Sequence, residues 1–112
     1  MKLFRVGPAS RRSFAVLGRT RGAQAATMTL APGATSGEDS ANEHAWAEQW
    51  LYVIDGRGSA TVGRRRVALR PGVLLVIERR ERHQIRASAR SRLVTLNLYV
   101  PPAYDAGGEP LR

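Results

Sequence analysis

The chain has no cysteine, which excludes a disulfide framework and a thiolate metal centre and leaves stability to packing. It has two histidines, His44 and His83, so any imidazole chemistry is confined to those positions. It has one lysine, Lys2, against 17 arginines and 9 acids, so its formal charge of +9 is almost wholly a guanidinium charge. Nowhere do 18 apolar residues follow one another, and residues 1–6 lack the unbroken apolar run of a signal peptide. No membrane partner is expected, and a soluble cytoplasmic protein is the default reading. No segment joins helical length to a 3.6-residue apolar period, which excludes a helical bundle.

The arginines are scattered over nearly every turn rather than gathered in one stripe, and neither a helix-turn-helix pattern nor an RNA-module signature accompanies them. Together with 16 Ala and 11 Gly they read as solvated positions in an Ala, Arg and Gly-rich composition. No nucleic-acid partner is expected. At 112 residues the chain makes one domain, 1–112, able to remove roughly two thirds of its unfolded surface from water.

What is present is a series of short apolar or alternating runs cut by turn residues. Residues 3–6, 13–17 and 24–30 read as strands separated by Gly7-Pro8, Gly18 and Gly22. Residues 31–39, with Pro32, Gly33, Ser36 and Gly37, read as a loop. Residues 49–54 are rich in aromatic and β-branched types, and Asp55-Gly56-Arg57-Gly58 supplies the turn residues of a hairpin returning through 59–62. Further strands are expected at 66–69, 73–77, 83–86 and 92–100, where Pro101-Pro102 ends the ladder, and the last ten residues read as a tail. Nine or ten short strands with no convincing helix predict an all-β barrel or jelly roll, which removes exposed edges by closure.

Over residues 37–100 the chain resembles the cupin superfamily, whose double-stranded β-helix barrel carries two motifs. Counting six residues back from Gly56 places Gln49 at the position of the family's glutamate, and the longer of the family's two spacings places His44 and Asn42 at the paired histidine positions. Pro71-Gly72 stands in the second motif, with His83 where a third histidine belongs. The chain departs from the pattern at Asn42, Gln49, Glu78, Arg80 and Ala87, where the family has His, Glu, Pro, Gly and Asn, and Gly37 lies one residue too close to Asn42. The closing run from Asn97 to Tyr104, with Glu43-His44 and Asp55-Gly56, is similar to a branch of small bacterial cupins that implies no particular activity.

The resemblance implies a divalent transition metal, zinc, iron or nickel, held by His44, His83, Gln49 and Asn42. With the shorter spacing the inward set becomes Glu43, Ala45, Gln49 and His83; the longer one is preferred because it uses both histidines. No ligand in the preferred set is anionic, so modest affinity is expected. The competing reading has the histidines satisfying polar pocket positions or lying on the surface. Alternation puts Gln49, Leu51 and Val53 on one face and Trp50, Tyr52 and Ile54 on the other. On the last strand, either Thr95, Asn97 and Tyr99 face a ligand pocket with Glu43, or Val94, Leu96 and Leu98 form the core and the polar set faces out.

Two classes of function follow: a metal-dependent enzyme of unassigned substrate, or a module that binds a small molecule or stays structural. No residue stands out as a general base. The apolar face carrying Trp50, Tyr52 and Ile54 predicts a two-fold homodimer.

Overall fold

Alternation decides which side chains meet in this protein. The computed structural model describes residues 1–7, 13–36 and 45–111, and among them are eight strands: β1 (Phe14–Arg19), β2 (Gln24–Leu30), β3 (Glu48–Gly56), β4 (Gly58–Val62), β5 (Arg65–Leu69), β6 (Leu74–Ile77), β7 (His83–Ala87) and β8 (Leu93–Val100). They form a five-stranded sheet in the order β1-β2-β8-β3-β6 and a three-stranded sheet in the order β5-β4-β7. Every pairing is antiparallel. From β5 onward each successive strand lies in the sheet opposite its predecessor, the winding of a jelly roll. The count is eight among the described residues, where nine or ten were expected.

Between the sheets lie Met28, Leu30, Leu51, Val53, Ala60, Leu69, Ile77, Ile85, Ala87 and Leu93, all buried. Burying each of the larger of these side chains contributes roughly 1.5–3 kcal/mol. At the other end Phe14, Tyr99 and Tyr104 pack edge to face or tilted, with ring centroids 4.8–6.4 Å apart.

Three expectations require correction. The turn at 55–58 joins no hairpin: β3 pairs with β8 and β6, while β4 pairs with β5 and β7. The chain instead turns a corner between sheets at Gly56, where φ is +85° and an added Cβ would collide with the Arg92 carbonyl oxygen. Residues 3–6 form no strand; Leu3 is exposed, and the Phe4 ring lies over Gly18. The last ten residues are not a loose tail, because Ala103 and Tyr104 are buried. Gln24 holds them: its Oε1 accepts from the Ala103 and Tyr104 amides at 3.1 and 3.0 Å, and its Nε2 donates to the Tyr104 carbonyl at 2.8 Å.

Among the described residues no helix is long and apolar enough to cross a membrane.

Candidate functional site

The inner face of the five-stranded sheet carries a polar patch beside its aliphatic residues Met28, Leu51, Val53 and Ile77. Gln49, Leu51 and Val53 of β3 are buried while Trp50 and Tyr52 are exposed, as alternation predicts. On β8 the polar set is turned inward: Thr95 and Asn97 are fully buried and Tyr99 nearly so, whereas of the aliphatic set Leu98 is 40% exposed and Val94 is buried. The β3–β8 register sets Gln49 opposite Tyr99 and Leu51 opposite Asn97, so Gln49 and Asn97 are diagonal neighbours on one face.

Their contacts are incomplete. Asn97 Oδ1 accepts from Gln49 Nε2 and from Thr95 Oγ1, both at 3.3 Å, longer than the usual separation for either bond type. Gln49 Oε1 and Asn97 Nδ2 are buried with no partner among the described residues. Exchanging oxygen and nitrogen in both amides preserves the pair and again leaves one acceptor and one donor unspent. Each such group costs about 1–3 kcal/mol when buried unpaired. Tyr99 forms the wall beside them, its ring 5.0 Å from that of Tyr104 and 6.4 Å from that of Phe14.

His83 opens β7 in the other sheet, opposite Val62. It shares the parity of Ile85 and Ala87, which are buried, so it lies on the inner side and is half-buried. Its Nδ1 is 3.1 Å from the Glu81 carbonyl oxygen, which can only accept, so the contact calls for a proton on Nδ1. Asn42, Glu43 and His44 lie outside the described residues. Among the described residues no group of three His, Cys, Asp or Glu side chains is placed to hold a metal. Gln49 and His83 face the interior from opposing sheets.

Sequence reasoning missed Gln24, although a polar residue at the inward parity of Ala26, Met28 and Leu30 is the signal that marks it. Trp46 is half-buried against the aromatic cluster, with Nε1 3.5 Å from the Pro102 carbonyl.

Comparison with known proteins agrees with this architecture. A Bacillus halodurans protein superposes with a TM-score of 0.76 at 20% identity, over 92% of this chain and 89% of that one. KdgF from a Halomonas species gives 0.70 at 19% identity, over 80% and 77%. An RmlC-like cupin from Desulfovibrio desulfuricans gives 0.73 at 20% identity, over 91% and 98%. At these identities the likeness is one of fold. No curated protein matches the chain. The model of the cupin domain, however, matches residues 26–99, from β2 to Tyr99 near the end of β8, and with that sequence match laid over the two-sheet barrel the chain belongs to the cupin family.

Proposed function

We propose that this cupin is a cytoplasmic small-molecule-binding barrel in which Gln49, Thr95 and Asn97, with Tyr99 as a wall, orient an uncharged polar group. The observation that carries this reading is the buried amide pair with one acceptor and one donor unspent. A ligand hydroxyl or amide offers both a donor and an acceptor, so it meets both groups at once. A carboxylate offers only acceptors and brings a charge among neutral amides and hydroxyls, so it is disfavoured. The test is a titration of neutral polyols and primary amides, monitored by the side-chain amide NMR signals of Gln49 and Asn97. Shifts lost in Asn97→Leu support the reading; wild-type signals that respond to none of these compounds overturn it.

A second reading adds a divalent transition metal, and two observations favour it: Gln49 Oε1, which has no partner among the described residues, and His83 on the inner side of the opposing sheet. Two neutral donors suit zinc, iron or nickel only weakly, so Asn42, His44 or Glu43 would have to complete the set. A bound metal would supply Lewis acidity toward a ligand oxygen. Elemental analysis of untagged protein, with His83→Ala as control, tests this. Metal at one equivalent per chain that vanishes in the variant supports it; metal-free wild type removes it.

We further propose a two-fold homodimer through the outer face of the five-stranded sheet. There Leu98, Trp50 and Val76 form one row across β8, β3 and β6, and Leu96, Tyr52 and Leu74 form the next. Five of these six are exposed large apolar residues. Together the rows offer on the order of 500 Å² of apolar surface, at the upper end for a monomer's largest patch and over half of the roughly 800 Å² that each partner contributes to a standard interface. Sedimentation at tens of micromolar tests it.

A further inference from the structure

The outer face of the three-stranded sheet carries a second site that the barrel interior does not use. In β5 alternation sends Val67 and Leu69 inward and Arg66 and Ala68 outward, and Arg70 continues the outward series beyond the strand. In β7 it sends Ile85 and Ala87 inward and Arg86 outward. Between them β4 presents Ser59, which lies opposite Ala68 on one side and Arg86 on the other. Small side chains thus make a floor and long cationic ones a border. The result is a hollow of about 420 Å³ lined by Arg57, Arg66, Arg70 and Arg86 together with Ser59 and Ser88.

No acid among the described residues lines this hollow. Among the described residues the ion pair that the arginines of this barrel do form is Arg92 with Asp55, at 3.0 Å, outside the hollow. Four guanidinium groups gathered without a carboxylate repel one another, and a bound anion relieves that repulsion. Guanidinium forks match phosphate oxygens in geometry as well as in charge. The serines add hydroxyl donors: Ser88 Oγ accepts from the Arg90 amide at 3.1 Å, which leaves its proton to give.

We propose that this hollow binds a small oligophosphate, a molecule carrying at least two phosphoryl groups. The four cations come from the β3–β4 corner, β5 with the residue after it, and β7, so they surround a ligand rather than track along one. A concavity of this volume suits a small molecule. Among the described residues no aromatic lines it, so they supply no stacking platform of the kind found in a single-stranded nucleic-acid groove. The occupant is anionic where that of the interior is neutral, and the site stands independently of the reading given for Gln49 and Asn97.

The experiment is calorimetric titration of the full chain with tripolyphosphate, inorganic phosphate and a short single-stranded oligonucleotide at about 150 mM salt, where loose charge attraction is screened. Three variants are compared with wild type: Arg66→Gln with Arg86→Gln, Arg21→Gln with Arg79→Gln as a charge-matched control from exposed positions elsewhere, and Ser59→Phe, which fills the hollow without altering charge. Tripolyphosphate should bind once per chain and more tightly than phosphate. Binding should weaken roughly tenfold or more in the first and third variants and by less than about twofold in the control. Thermal melting of each variant confirms that the barrel is intact. Equal loss in both arginine pairs, full binding by Ser59→Phe, no binding of tripolyphosphate, or tighter binding of the oligonucleotide would each overturn the proposal.

Discussion

The two sheets of this barrel are patterned differently. The three-stranded sheet is conventional, with Ala60, Leu69, Ile85 and Ala87 buried and Ser59, Arg66 and Arg86 turned outward. The five-stranded sheet departs from that pattern over part of β3 and β8: Gln49, Thr95 and Asn97 are buried beside Leu51 and Val53, while Trp50, Tyr52 and Leu98 are exposed. A buried polar group and an exposed apolar patch are the two informative violations of the inside-outside rule. Both occur on one sheet, and on the same two strands. Packing alone does not call for either, and the neutral ligand and the partner copy proposed above are both placed on this sheet. The conventional sheet supplies stability from its inner face and charge from its outer one.

The largest expected effect sharpens the contrast on the conventional side. Ile85→Ala should destabilise the protein by about 3–4 kcal/mol, because it removes a fully packed side chain and leaves a cavity. Chemical denaturation would show it, and a loss below about 1 kcal/mol would mean that the three-stranded sheet does not anchor the core. On the five-stranded side, Tyr52→Arg should weaken self-association by roughly a hundredfold, about 3 kcal/mol, by placing like charges opposite each other in the two-fold contact. Sedimentation equilibrium reads this directly. A monomeric wild type would leave the exposed rows without the partner proposed for them.

A third pair of variants restores conventional patterning inside. Asn97→Leu alone should cost about 1–3 kcal/mol, since Gln49 then has neither group paired, whereas Gln49→Leu with Asn97→Leu should come within about 1 kcal/mol of wild type. The measurable signature is this non-additivity in a double-mutant cycle. The smallest effect lies at the turn leading into β7. Arg80 has φ +68°, a left-handed conformation that disfavours a residue with a Cβ, so Arg80→Gly should gain about 1 kcal/mol and raise the melting temperature by several degrees. Arg80 stands where the cupin pattern has glycine, and the backbone keeps the glycine conformation.

Much of this was legible from local chemistry. Two-residue alternation separated Gln49, Leu51 and Val53 from Trp50, Tyr52 and Ile54, because side-chain direction in a strand is a property of the strand itself, and the family resemblance said which face is inner. The ends of β2 were readable for the same reason, and Pro101 marked the end of β8 because it has no amide to give to a ladder. Residues 3–6 show the limit: apolar character made them look like a strand, but a strand needs a partner, and none pairs with them.

By itself, then, the sequence determined the all-β class, the strand spacing and the two faces of β3. Tertiary structure decided what depends on residues far apart in the chain. Gly56 and Gly58 suit a hairpin as well as a corner, and only the pairing of β3 with β8, some forty residues on, selects the corner. Thr95 and Asn97 alternate with Val94 and Leu96 in either orientation, and only the closure of the barrel turns the polar set inward. Arg66 and Arg86 are 20 residues apart and become one site because β4 pairs with both their strands. Alternation is set residue by residue, whereas the choice of partner strand is set by the closed sheet as a whole.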